Sequence, residues 1–222
     1  MDDEKSPSVL GKIKDKLIAS KQQWAKEGRL LTGEGAKPAM RLPPGQRQVP
    51  NWPVLDLGLQ PDVPKAAWQL TVDGLVEQPM SWNWGQFTDL PQVRLRSDIH
   101  CVTAWSRYDN DWDGVATGTI LDLAQPSPEA KHVIFHSYDG YTTNVTLESF
   151  AAPDALLAHS WMGEPISREH GGPLRVVIPK LYFWKSAKWL RRIEFSAADQ
   201  PGFWETRGYH NEADPWKEER YS

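Results

Sequence analysis

The chain has almost no cysteine: Cys101 is the only one in 222 residues. A lone cysteine excludes an internal disulfide and a cysteine-rich metal cage. It leaves a nucleophile, a redox thiol, or the single protein ligand of a metal whose other ligands come with a cofactor. Long apolar runs are missing too. No stretch approaches the roughly 20 residues needed to span a bilayer, so no membrane span is expected. An excess of basic charge is absent, with 25 Lys and Arg against 29 Asp and Glu and a net charge of -4. That balance does not suit a polyanion, so no nucleic acid partner is expected. Met1-Asp2-Asp3-Glu4-Lys5 is acidic and no apolar signal core follows it. The Arg191-Arg192 pair lies far from the start, so the expectation is a cytoplasmic protein. No internal repeat or low-complexity tract is visible.

What is present is ordinary globular material with two oddities. Hydrophobic residues make up 40% and charged residues 24%, enough for a sizeable core in one large domain with or without extensions. The oddities are 12 Trp and 18 Pro, which favour long ordered loops and short strands over a helical bundle.

Val9, Leu10, Ile13, Leu17 and Trp24 recur at helical spacing within Ser8 to Glu27, and Gly28 follows as a stop. Residues 1–39 are therefore expected as an N-terminal helical extension, with a domain over 40–222. Leu31 to Pro64 is rich in Pro and Gly and reads as extended loop. Alternation predicts strands over Trp68 to Val72, Val93 to Ser97, His132 to Tyr138, Tyr141 to Val145, Ala155 to Trp161, Leu174 to Ile178 and Lys188 to Phe195. Asp139-Gly140 marks a hairpin, and Thr146 caps a short helix. Cys101 is placed just beyond the end of the second strand. The class is α+β, dominated by strands in mixed sheets, with short helices and long ordered loops.

Three constellations can carry chemistry. A protein-only zinc site needs three or four ligands, and His132 and His136 share a strand face without an obvious carboxylate partner. A thiol enzyme would pair Cys101 with a histidine base, although His100 points to the opposite strand face. The third is His170-Gly171-Gly172-Pro173-Leu174-Arg175 with Lys185-Ser186-Ala187-Lys188-Trp189. Its glycines permit close backbone approach to a ligand, Arg175 offers a planar fork, and Lys185, Ser186 and Lys188 add donors for a phosphorylated cofactor. A solvated basic loop is the plain alternative.

Cys101-Val102-Thr103-Ala104-Trp105-Ser106, Asp113-Gly114-Val115, Gly163-Glu164-Pro165, the His170 to Arg175 segment and Ser186-Ala187-Lys188-Trp189 occur in order. The chain closes with Gly202-Phe203-Trp204-Glu205, Gly208-Tyr209-His210-Asn211 and Asp214-Pro215-Trp216. The ordered set resembles the sulfite oxidase family of molybdopterin enzymes, in its bacterial stand-alone catalytic form. The resemblance implies a sulfite oxidase-type catalytic domain over 40–222 that binds one mononuclear molybdenum through molybdopterin. It implies Cys101 as the metal ligand and His170, Arg175, Ser186, Ala187 and Lys188 as cofactor grips. Ser137 and Asn51 match further cofactor contacts, and Tyr141 and Arg107 fall on the substrate side.

Pro50 stands where sulfite oxidases carry an arginine, and only Arg107 follows Cys101 closely. The implied reaction is oxygen-atom transfer to or from a small sulfite-like or sulfoxide-like molecule. No haem or iron–sulfur ligand set is visible, so electrons are expected to pass through a separate partner. Two other readings stay open: a non-catalytic Trp-rich module stacking on a ligand, and the thiol enzyme.

Overall fold

The computed structural model describes residues 41–56 and 58–222. The expected extension over 1–39 and its helix lie outside them. Two sheets form the body. The first has six strands: β1 (Arg47–Gln48), β4 (Val93–Cys101), β5 (Trp105–Ala116), β8 (Leu156–Trp161), β9 (Glu164–Pro165) and β10 (Arg175–Val177). The second has five, in the order β3 (Met80–Asn83), β2 (Gln69–Gly74), β11 (Leu190–Ser196), β6 (His132–Ser137) and β7 (Thr142–Thr146). The pairs β1–β5 and β2–β11 are parallel, and the other pairs are antiparallel. Helices are short: α1 (Trp84–Thr88), α2 (Thr117–Ala124) and α3 (Leu147–Phe150). No described helix is long and apolar enough to cross a membrane.

The second sheet follows the alternation expected of it. Leu70 and Val72 on β2 and Ile193 and Phe195 on β11 point into the main core, where each removes about 1.5–3 kcal/mol worth of apolar surface from water. Asp139-Gly140 closes the β6–β7 hairpin, with Gly140 at φ 85°. The Thr146 side chain caps α3 by accepting from the Ser149 amide.

The first sheet holds three strands that alternation does not predict, the short β1 and β9 and the long β5. β5, the longest, is not among the predicted strands, because Asp109, Asn110, Asp111 and Asp113 are poor strand formers. Tertiary pairing overrides that preference. Arg94 and Arg96 on β4 meet Asp113 and Asp111 across the strands at 2.6 and 2.7 Å. Buried Asn110 donates to the carbonyl oxygens of Ser97 and Arg107 at 3.0 and 2.9 Å. Strand β4 is also longer than expected. It passes a bulge between Ser97 and Ile99 and runs on to Cys101, so the cysteine is the last strand residue and pairs with Trp105.

A second core cluster gathers Trp52, Ile99, Cys101, Trp105, Trp112 and Phe183. It sits beside the main core and forms the floor of the site.

Candidate active site

A cavity of about 330 Å³ opens between the end of β4, the β6–β7 hairpin and the segment from His170 to Trp189. Cys101 lines it and is 7% exposed. Its sulfur lies 3.2 Å from the Thr103 hydroxyl, and burial pushes the thiol above its ordinary pKa.

The same cavity is lined by cations. Arg175 is 1% exposed, and its guanidinium donates to the carbonyl oxygens of His170 (2.7 Å) and Ser186 (2.8 Å). No carboxylate among the described residues forms an ion pair with it. Burial drives it down to about 9. Lys188 donates to the carbonyls of Leu55 (2.6 Å) and Glu169 (2.7 Å), and burial with the Arg175 charge brings it down to about 8. A buried cation without a counter-charge is costly unless an anion completes the site.

Two polar atoms at the cavity wall reinforce this. The Ser137 hydroxyl and His170 Nδ1 are buried without a hydrogen-bond partner among the described residues. Burial and the charges of Arg175 and Lys188 lower His170 to about 4, so its imidazole is neutral near neutral pH. Unpaired buried donors and acceptors are rare in folded proteins and here mark places a ligand would satisfy. Ser186 and Ala187 are buried in the same wall; the Ser186 hydroxyl accepts from the Ile178 amide at 3.0 Å.

Thus Cys101, Ser137, Tyr141, His170, Arg175, Ser186, Ala187 and Lys188 are brought to one cavity. Asn51 and Arg107 are not. Asn51 is exposed while its neighbour Trp52 turns inward. Arg107 lies over the Trp161 ring at 4.7 Å, donates to the Pro50 carbonyl and bonds Asn110. The glycines also do a different job from the one expected. A Cβ on Gly172 would lie 2.1 Å from the Ile166 carbonyl oxygen, and one on Gly171 would strike Lys188. They let the chain approach itself rather than a ligand. Lys185 does not face the cavity; its ammonium forms a buried pair with Glu205 at 2.7 Å.

Trp52, Trp105, Trp184, Trp204, Tyr209 and Asp139 also line the cavity, and none of them was expected as a site residue. Trp105, Trp204 and Tyr209 stand in the quoted motifs and Asp139 in the hairpin turn, whereas Trp52 and Trp184 had only the high Trp count as a signal. The zinc and thiol readings lose ground on geometry. His132 and His136 each have a carboxylate, Asp199 at 3.4 Å and Glu194 at 2.9 Å, contrary to expectation. No group of three or more metal-ligating side chains occurs among the described residues. His100 turns its Nδ1 to the Ser106 hydroxyl at 2.8 Å, and burial lowers it to about 4.

The family model for the oxidoreductase molybdopterin binding domain matches residues 58–204. The chain belongs to this family, the sulfite oxidase family that the motifs resemble. It is an oxidoreductase with a sulfite oxidase-type fold. It is 47% identical over 186 residues to the uncharacterized oxidoreductase YuiH of Bacillus subtilis, covering 82% of this chain and 92% of that one. It is 32% identical over 155 residues to the protein-methionine-sulfoxide reductase catalytic subunit MsrP of Gluconobacter oxydans, covering 62% of this chain and 49% of that one. The chain thus spans nearly all of the first relative but about half of the second. Among solved structures, the sulfane dehydrogenase SoxCD of Paracoccus pantotrophus superposes with a TM-score of 0.57 at 21% identity, over 63% of this chain and 40% of that one. That likeness concerns the fold alone.

Proposed function

We propose that the cavity holds a mononuclear molybdenum carried by molybdopterin, and that the enzyme transfers an oxygen atom to or from a small molecule. The carrying observation is Arg175, a fully buried cation with no carboxylate partner among the described residues, in the same cavity as the only cysteine. Arg175 and Lys188 would hold the phosphate of the cofactor, the first as a fork and the second as a point charge. Ser137 and His170 would satisfy polar atoms of the pterin with their unpartnered groups. Cys101 would supply the soft protein ligand, and binding a metal would deprotonate its thiol despite burial.

When bound, the metal centre supplies two-electron oxygen-atom-transfer chemistry. The chain supplies placement and seclusion. Trp105, Trp184 and Trp204 line the same cavity as Cys101 and would shield a bound cofactor from water. The Tyr141 hydroxyl donates to the Trp184 carbonyl at 2.7 Å, and burial and the Glu205 charge hold it protonated well above its ordinary range. Tyr141 is therefore a neutral group at the substrate side. Electrons would pass to or from a separate carrier protein.

The test compares molybdenum and pterin content of wild type and Cys101→Ser, purified from a molybdate-fed host. Loss of metal with retained fold is expected. Equal molybdenum and equal activity in the two proteins would remove the proposal.

A further inference from the structure

Three rings that line the cavity come from three separate segments. Tyr141 directly precedes β7, Trp184 lies in the turn Phe183–Lys185, and Trp204 directly precedes the turn Glu205–Arg207. One carboxylate ties these segments together. Glu205 Oε1 accepts from Thr143 Oγ1 on β7 at 2.9 Å, from the Trp184 indole at 2.9 Å and from Lys185 Nζ at 2.7 Å. Its other oxygen is buried with no hydrogen-bond partner among the described residues, so the anchoring runs through Oε1. The Glu205 side chain is 2% exposed, and neither it nor Thr143 nor Lys185 is among the residues that line the cavity.

From Glu205 the array reaches the cavity in short steps. Trp184 is held at both ends: its indole donates to Glu205, and its carbonyl oxygen accepts from the Tyr141 hydroxyl at 2.7 Å. Trp204 is the chain neighbour of Glu205. Tyr209 packs on both indoles, with ring centroids 5.0 Å from Trp184 and 4.8 Å from Trp204. The backbones fit as closely. The Phe203 amide donates to the Thr142 carbonyl at 2.8 Å, and a Cβ on Gly202 would lie 2.3 Å from that same oxygen. Gly202 thus lets the closing segment press against β7, and Glu205 fixes the side chains across the seam. A buried ion pair is weak evidence for stability, because apolar side chains of similar volume often serve as well. An apolar pair cannot aim three donors at one point, whereas hydrogen bonds are directional and would hold the Trp184 ring and the Tyr141 anchor in one arrangement.

We infer that Glu205 is a positioning residue of this site: through Thr143, Trp184 and Lys185 it sets Tyr141, Trp184 and Trp204 in the cavity wall, and so governs how tightly the cavity keeps its occupant. Glu205 lies just beyond the family-matched residues 58–204. The inference rests on the proposed function for the occupant, a pterin cofactor, and on the geometry alone for the wall.

The test uses the full chain from a molybdate-fed host, with Lys185→Met in both double variants so that no ammonium is stranded. Glu205→Gln with Lys185→Met keeps an acceptor oxygen. Glu205→Leu with Lys185→Met keeps side-chain volume without one. The spectroscopic readout is the indole N–H resonance of Trp184, assigned by its disappearance in Trp184→Phe. Wild type and the glutamine double variant are expected to show one sharp line with slow hydrogen exchange. In the leucine double variant the line is expected to move and to exchange about tenfold faster, the size of one hydrogen bond to a charged group. Pterin loss during gel filtration is expected to follow, about tenfold faster in the leucine double variant and close to wild type in the glutamine one. Thr143→Val, isosteric and outside the cavity lining, removes one donor and is expected to shift both readouts in the same direction, which keeps the test decisive should the leucine variant fail to fold. A Trp184 line that stays put without the acceptor, a line that moves while pterin is kept as in wild type, or a glutamine variant as impaired as the leucine one would overturn the inference. Protein that carries no pterin in any form would remove the proposed function. The Trp184 line then decides this inference by itself: moved in the leucine variant it stands, unmoved it falls.

Discussion

Trp52 lies flat on the His170 imidazole, with ring centroids 3.9 Å apart and an angle of 3° between the planes. The contact fixes the plane of a histidine whose Nδ1 has no partner among the described residues. Trp52 also meets Trp112 edge-on at 5.2 Å and lies under the Arg175 guanidinium at 5.2 Å. One indole therefore joins the loop before β2 to both polar grips of the cavity.

Replacing Trp52 by alanine is expected to cost stability and cofactor retention together. Truncating a buried Trp typically costs about 3–5 kcal/mol, and here it would also release the imidazole. Trp52→Phe keeps a stacking face and is expected to keep most of both. Chemical denaturation gives the first quantity, and pterin content after gel filtration gives the second. A Trp52→Ala protein that is destabilised yet retains full cofactor would show that the stacking is structural only.

Much of this site was legible before the fold was known, and the reasons are physical. Cys101, His170, Arg175 and Lys188 stand out because each is a scarce or charged residue in an ordered motif, and all four reach the cavity. The strands of the second sheet were legible because Leu70, Val72, Ile193 and Phe195 alternate with polar neighbours. β5 was hidden because its aspartates are acceptable only opposite Arg94 and Arg96, a pairing no local pattern reveals. Arg107 looked like a substrate contact by proximity to Cys101, but its partners are Pro50, Asn110 and Trp161.

The glycine pair makes a separate prediction. Because a Gly172 Cβ would sit 2.1 Å from a backbone oxygen, Gly172→Ala must move the chain. The cost belongs to the fold, so it is expected to appear in protein without cofactor as a loss of about 1–3 kcal/mol, the usual range for overpacking. Urea denaturation of metal-free protein measures it. If metal-free stability were unchanged and only cofactor affinity fell, the glycine would be serving the ligand after all.

The Lys185–Glu205 pair is 2.7 Å long, with side chains 1% and 2% exposed. Glu205 also accepts from Thr143 and from the Trp184 indole, each at 2.9 Å. Glu205→Gln leaves a buried ammonium without its counter-charge, and such changes cost about 3–5 kcal/mol. The double variant Glu205→Gln, Lys185→Met removes the stranded charge and is expected to recover part of that loss. Thermal melts of the three proteins decide it, and a double variant no more stable than the single one would show that the charge is not the source of the cost.

The two cations of the cavity give a pH signature whose sign can be worked out. Lys188 sits at about 8, below its ordinary 10.5, because of burial and the Arg175 charge, and Arg175 is brought down to about 9 by burial. For Lys188 alone, the unfolded chain holds more protons than the folded one between those two values, so its contribution to metal-free stability rises with pH there. An anion needs the charged forms, and these are lost as pH climbs through about 8 and then about 9. Inorganic phosphate is therefore expected to raise the melting temperature of metal-free protein near neutral pH and to lose that effect on the alkaline side, at constant ionic strength. Arg175→Met should abolish the phosphate effect at every pH. A phosphate shift that grows with pH, or that survives in Arg175→Met, would place the anion somewhere other than beside Arg175.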